Sequence, residues 1–407
     1  MTREIYLDHA ATTHVDPRVK QAMEKYWTEE FGNPGSFHTA GLRALRTLNA
    51  ARLSVAKIMN CAPEELVFTG SGTESINTAI KGVFRAAKAN NPVKKHIITS
   101  SVEHHAVLET CEYLQKYEGA DITVLPVDKY GRVLPETLEA AIKPETVLVS
   151  IMYANNEIGT INRIAELAAV AKKHRVLFHT DACQAGGVLE MDVKKLGVDL
   201  LSVNGSKIYA PKGVGALFVR RGVLIHPLIH GGGQENRLRS GTENVPLIVG
   251  FAKALELAQA ERAAENARLT LLRDKLVAGV LKSVPKTFLN GHPTERLPNS
   301  ANISFMDIEG EALLLMMNEH GICASTGSAC TSKSLDPSHV ILALGLPYEA
   351  SHGSIRFTLG KFTTEEDVDK VLEVLPGIVK TLRHLSPVNI DMKNVLPQEK
   401  PQVVKTQ

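Results

Sequence analysis

Residues 176–207 read VLFHTDACQAGGVLEMDVKKLGVDLLSVNGSK. Two short apolar runs stand inside this stretch, Val176–Thr180 and Val198–Val203. Buried strands of a mainly parallel sheet have this look, because helices cover both of their faces. Each run is followed at once by polar chemistry: Asp181 after the first, Asn204-Gly-Ser-Lys207 after the second. The span between Asp181 and Lys207 fits one β-α-β crossover. Ligands of open α/β sheets bind at the carboxyl ends of the strands, so the two side chains can converge on one crevice.

The same texture continues on both sides. Leu66–Thr69, His96–Thr99, Ile122–Leu125, Val147–Met152 and Ala216–Val219 are further strand-like runs, and Glu74–Lys88, Ala106–Tyr117 and Ile164–His174 are amphipathic stretches between them. This alternation predicts an α/β domain with a mainly parallel sheet. From about Ala260 the pattern changes. A charged stretch, Ala260–Val284, predicts a helix leading out of that domain, followed by strand-like Ala301–Phe305, helix-like Glu311–Glu319 and strand-like Ser354–Thr358. A last helix opens with a capping box from Thr363 to Glu366 and carries Pro376 in its interior. The expected organisation is a large α/β domain over 15–260 and a smaller α+β domain made of 1–14 and 261–386. The polar, Pro-containing tail over 387–407 is expected to be poorly ordered.

Composition excludes several classes. Among 407 residues, 46 Lys+Arg face 44 Asp+Glu for a net charge of +2, which gives no reason to expect direct nucleic-acid binding. The apolar runs are too short to span a bilayer. The opening MTREIYLDHA has acidic residues and no apolar core, unlike a secretory signal or an organelle transit sequence. Cys61, Cys111, Cys183, Cys323 and Cys330 are odd in number, scattered and without a C-x-x-C pair. They predict neither a zinc site nor a disulfide framework, and they fit a reducing cytoplasm.

Leu66–Thr69 runs into Gly70-Ser-Gly-Thr-Glu-Ser75, a Gly/Ser/Thr turn before a helix. Backbone amides at a helix N-terminus, with hydroxyls beside them, make a phosphate cradle, and Gly72 and Thr73 are its candidates. No Lys follows the glycines in the G-K-[ST] form, so this is not a P-loop. Read singly, the turn is equally a plain strand–helix connection with Thr73 as its N-cap, and Asp181 is more often a strand-end or turn acid. Read together, a phosphate cradle, an Asp and a Lys are what pyridoxal phosphate needs: the Lys for the Schiff base, the Asp to keep the pyridine nitrogen protonated.

Six stretches then resemble the cysteine desulfurases of the NifS/IscS type, in the expected order over almost the whole chain. They are Tyr6-Leu-Asp-His-Ala-Ala-Thr-Thr13, Gly70–Ser75, Glu103-His-His105, Asn155-Asn-Glu-Ile-Gly159, Arg239-Ser-Gly-Thr242 and Ser325-Thr-Gly-Ser-Ala-Cys-Thr331. The resemblance implies the fold of class V aminotransferases, that is, the aspartate aminotransferase-like fold type I of PLP-dependent transferases, in a homodimer. By the same resemblance Lys207 holds the cofactor, Asp181 pairs its ring nitrogen and His104 stacks on its ring. Asn156 and Gln184 lie near the ring hydroxyl, Thr73 and Thr242 bind phosphate (Thr242 from the other subunit), and Arg356 clamps the substrate carboxylate with Asn156 nearby. His105 is expected to be a bystander.

Two departures stand out. Asn204-Gly-Ser-Lys207 replaces the Ser-Gly-His-Lys of many relatives, so the Ser206 hydroxyl stands where a His would contact phosphate. The C-terminal extension that helps dock an iron–sulfur scaffold is not recognisable, which leaves the sulfur acceptor open between iron–sulfur assembly and tRNA thiolation.

The implied reaction takes sulfur from L-cysteine, giving alanine and a persulfide on Cys330. Cys330 lies in a long stretch of small polar residues, as in the long-loop group, where a thiol can swing from cofactor to partner. No resident metal is expected; Cys330 would serve only as a transient iron–sulfur ligand through its persulfide. A selenocysteine lyase is an alternative, as is a class V aminotransferase, against which Cys330 argues.

Overall fold

The computed structural model describes residues 4–327, 337–392 and 395. Cys330 lies outside the described residues. In chain order the strands are β1 Ile5–Tyr6, β2 Leu66–Thr69, β3 His96–Ser100, β4 Asp121–Leu125, β5 Thr146–Ser150, β6 Leu177–Asp181, β7 Leu200–Asn204, β8 Gly215–Val219, β9 Thr287–Asn290, β10 Ser300–Phe305, β11 Ile322–Cys323 and β12 Ser354–Thr358.

Seven of them form one sheet in the order β2-β8-β7-β6-β5-β3-β4. β8 runs antiparallel to both β2 and β7, and the remaining neighbours are parallel. Alternate residues enter two different cores. Phe68, Ile98, Val149 and Phe178 face a core that includes the helices Thr39–Met59 and Ile164–Lys173. Val67, Ile97 and Leu148 face one that includes the helices Gly72–Asn90 and His105–Glu118. Both faces are dry, which is why these strands read as unbroken apolar runs.

The second sheet, β12-β10-β9, is antiparallel, and β1 pairs in parallel with β11 beside it. Ile5 and Leu7 share a core with Ile303, Ile355, Phe357 and the last helix, Glu365–Leu385. The helix Val245–Ser283 joins the two bodies. Its Ile248 and Phe251 sit in the first core, its Leu269, Leu276 and Val280 in the second.

This helix begins well before the predicted Ala260. Asn244 caps it by accepting from the Leu247 N–H at 3.2 Å, and Pro246 occupies its first turn. Its opening turns are buried and apolar, so only the charged half announced itself in sequence. The capping box of the last helix is also shifted. Thr364 accepts from the Asp367 N–H at 3.3 Å, and Asp367 accepts from the Thr364 N–H at 2.9 Å. Thr363 is used elsewhere, its hydroxyl accepting from the Gly360 N–H at 2.9 Å.

The stretch expected to be loose begins under restraint. Lys286 Nζ donates to Asn389 Oδ1 and to the Ile390 carbonyl, and the Ile390 N–H donates to Asp307 Oδ1. Among the described residues, no helix is long and apolar enough to cross a membrane.

Candidate active site

A cavity of about 290 Å³ opens at the carboxyl ends of the large sheet's strands. Gly72, Thr73, His104, Asn156, Asp181, Gln184, Asn204, Lys207 and Arg356 all line it. Among the other predicted residues, Ser206 and Thr242 do not, and Cys330 lies outside the described residues. Thr242 is exposed on this chain.

Asp181 is the last residue of β6, only 5% exposed, and its Oδ1 accepts from the Cys183 N–H at 2.9 Å. Lys207 follows β7 in a single 3₁₀ turn, Gly205–Lys207, and its Nζ donates to the Ala11 carbonyl. Gln184 Nε2 donates to the Ala10 carbonyl at 3.0 Å. Thr13 fastens this N-terminal segment through the Ser206 carbonyl, which accepts from its N–H at 2.8 Å and its hydroxyl at 3.1 Å. The Ser206 hydroxyl itself is 3.0 Å from Asn204 Nδ2, which donates to it.

The phosphate-like corner is the start of the helix Gly72–Asn90. Ser71, not Thr73, is its N-cap, accepting from the Glu74 N–H at 3.1 Å. Gly72 is forced by crowding: a Cβ there would lie 2.5 Å from Cys183 Sγ and 3.1 Å from Asn204 Cβ. Opposite, His104 caps the helix His105–Glu118, its Nδ1 accepting from the Ala106 N–H at 3.0 Å. In the neutral ring that bond leaves the proton on Nε2.

Arg356 projects from β12 and is 2% exposed. Nη2 pairs with Asp8 Oδ1 at 2.8 Å and Nη1 donates to the Asn156 carbonyl at 3.0 Å. Its buried Nε has no hydrogen-bond partner among the described residues. Asn155 shapes the adjoining turn, with Oδ1 accepting from the N–H groups of Glu157 at 2.8 Å and Ile158 at 2.9 Å.

Burial sets the local acid–base behaviour. It pushes Glu103 up to about 8 and His179 down to about 4. Glu103 Oε1 accepts from Ser100 Oγ at 2.6 Å and from the Met152 N–H at 3.0 Å. His179 lies between Ser150 Oγ and Ser202 Oγ. The four described cysteines are all pushed up by burial: Cys61 and Cys111 to about 12, Cys323 and Cys183 upward, the last strongly. Each is thereby kept as a thiol.

Sequence reading missed Asp8, Ala10, Ala11 and Cys183 as parts of the site. Asp8, Ala10 and Ala11 stand inside the quoted Tyr6–Thr13 stretch, so that motif was the available signal. Cys183 is marked by its neighbours in VLFHTDACQ.

The donor set fits pyridoxal phosphate. One primary amine, one buried carboxylate, one imidazole and one helix N-terminus face a single cavity, and they suit an aldehyde carbon, a ring nitrogen, a ring face and a phosphate respectively.

Known proteins align with this arrangement. The aminotransferase class-V family matches residues 5–371. Cysteine desulfurase IscS of Methanosarcina thermophila is 54% identical over 386 residues, covering 95% of this chain and 94% of that protein. Cysteine desulfurase IscS of Dictyoglomus turgidum is 51% identical over 393 residues, covering 97% and 99%. A solved NifS-like protein superposes with a TM-score of 0.87 at 40% identity, covering 93% of this chain and 100% of that one.

Proposed function

The chain belongs to the class-V aminotransferases and, within them, to the cysteine desulfurases, and on that premise we propose how its residues take sulfur from free L-cysteine. Pyridoxal phosphate, when bound, supplies an electron sink for charge developing on the substrate carbons. Lys207 would hold it through Nζ, with Asp181 at its ring nitrogen and His104 against its ring. Gly72 and Thr73 would hold its phosphate, joined by Thr242 from the second subunit of a homodimer. Asn156 and Gln184 would meet its ring hydroxyl, and Asn204 would form part of the polar wall, its side-chain amide held by the Ser206 hydroxyl.

Arg356 receives the cysteine carboxylate, for which a planar fork is suited. Lys207 Nζ, once free, takes the proton from the substrate Cα. The thiolate of Cys330 then attacks the substrate sulfur. An S–S bond forms as the C–S bond breaks, and protonation of the carbon yields alanine and a Cys330 persulfide. That sulfur passes in the cytoplasm to an acceptor protein serving iron–sulfur assembly or tRNA thiolation.

The observation that supports this reading best is the meeting of Lys207, Asp181, His104, Gly72 and Arg356 around one cavity, from parts of the chain far apart in sequence. Burial raises the thiols of the four described cysteines, which disfavours each of them as the nucleophile, since thiolates are what attack.

The protein reconstituted with pyridoxal phosphate should release sulfide and alanine in equal amounts from cysteine and dithiothreitol. Cys330→Ala should keep the cysteine-dependent absorbance change and lose sulfide release by roughly 100-fold or more. Near-native sulfide release by Cys330→Ala, with Cys323→Ala inactive, would assign the chemistry to the other thiol.

A further inference from the structure

We propose that Glu157 is a positioning residue for sulfur transfer, holding together the two ends of the segment that carries Cys330. The inference rests on the reading of Cys330 as the sulfur acceptor.

Gly327 and Ser338 stand on the two sides of that segment and touch one carboxylate. The Ser338 hydroxyl donates to Glu157 Oε2 at 2.5 Å. A Cβ on Gly327 would lie 3.0 Å from the same Oε2 and 3.3 Å from Ser338 Cβ. The backbone therefore leaves and returns at one point. Gly327 has a φ of +37°, a conformation that favours glycine. Glu157 itself is 1% exposed and rooted in the Asn155 turn that also presents Asn156.

Both ends are tied to the cavity walls. On one side Ser325 pairs with Arg356 through two backbone hydrogen bonds, at 2.7 and 3.2 Å. On the other, His339 Nε2 is 3.0 Å from the Glu103 carbonyl and its ring centroid is 4.8 Å from that of His105. His105, expected to be a bystander, thus packs against the returning chain. Fixing Gly327 and Ser338 at one point sets where the chain leaves and re-enters beside Arg356 and Glu103, the two points from which the Cys330 thiol must be presented. A buried carboxylate that accepts from one end and packs against the other does this without touching substrate.

The test compares holoenzymes of Glu157→Ala, Ser338→Ala and Glu157→Gln with wild type. Two quantities are measured. One is the cysteine concentration that half-saturates the cofactor's absorbance change. The other is the single-turnover rate of persulfide formation on Cys330, followed by alkylation and mass spectrometry. Glu157→Ala and Ser338→Ala should leave the half-saturating concentration within about twofold and slow persulfide formation about tenfold. Glu157→Gln keeps an acceptor for the Ser338 hydroxyl and should recover most of the rate.

Wild-type persulfide rates in both alanine variants would overturn the proposal. So would a parallel loss of cysteine binding, which marks a general structural role. If Glu157→Ala fails to fold, Ser338→Ala, only half-buried, decides alone by the same two readouts. Failure of the premise has its own signature: Cys330→Ala would keep making sulfide.

Discussion

Arg356 meets Asp8 before it meets any substrate. The two are 348 positions apart, and the pair forms only when β1 and β12 lie in one body. A lysine at 356 would be a point charge, unable to reach Asp8, the Asn156 carbonyl and a carboxylate together. Arg356→Lys should therefore raise KM for cysteine by about 10- to 100-fold while the cofactor spectrum stays normal, as steady-state assays would report.

Glu103 gives a second prediction at this scale. Its folded-state value of about 8 lies above its ordinary 4.5, so the folded chain binds more protons between those limits and stability falls as pH rises through them. His179 acts oppositely and lower down. With a folded value of about 4 against 6.5, it costs stability as pH falls below 6.5. Burial also lowers His9, His96, His105 and His292, so the Glu103 contribution is isolated only as a difference: from about pH 6.5 to 8 the stability of wild type should fall by roughly 2 kcal/mol relative to Glu103→Gln. The urea midpoint of wild type should lose ground to that of Glu103→Gln across that window.

What was legible at the residue level follows from distance along the chain. Lys207 and Asp181 announce themselves because each ends its own apolar run. The Asp8 partner of Arg356 does not, because nothing local to either residue names the other.

Among the elements, strands were the easiest to read and helix starts the hardest. Burial on both faces leaves strands without a polar alternation to confuse, whereas the helix at Val245 begins inside the core and hides its first turns. The capping box could be read in two frames in Thr-Thr-Glu-Glu-Asp, and the bond from Gly360 to Thr363 chose between them. Thr364→Ala should cost about 1 kcal/mol in chemical denaturation.

The start of the helix Gly72–Asn90 makes a stricter prediction. Gly72→Ala forces a methyl into Cys183 Sγ. Pyridoxal phosphate retention, measured by dialysis and absorbance, should weaken about tenfold, and Cys183→Ala in the same chain should restore part of it.

At the scale of the whole molecule, apolar surface lies uncovered near the N-terminal helices. Trp27, Phe31 and Phe37 are 55%, 75% and 95% exposed. Exposed apolar side chains of this size are candidates for burial in the proposed homodimer. Sedimentation equilibrium should return twice the chain mass. Trp27 is the sole tryptophan, so dilution below the dissociation constant should shift the emission to the red.

The pairing of Ile5 with Ile322 also sets an order of events during biosynthesis. Roughly 300 residues must be translated between the two strands, which at ribosomal rates is a wait of about 15–60 s. Through that interval the segment bearing Asp8, Ala10 and Ala11 has no sheet to join, and Arg356 does not yet exist to receive Asp8. A nascent chain can finish its large sheet while its catalytic chamber still lacks a wall. Ribosome-bound chains stalled before β12 should accordingly be well folded in part yet unable to process cysteine, which spares the cell loose sulfur from half-made enzyme.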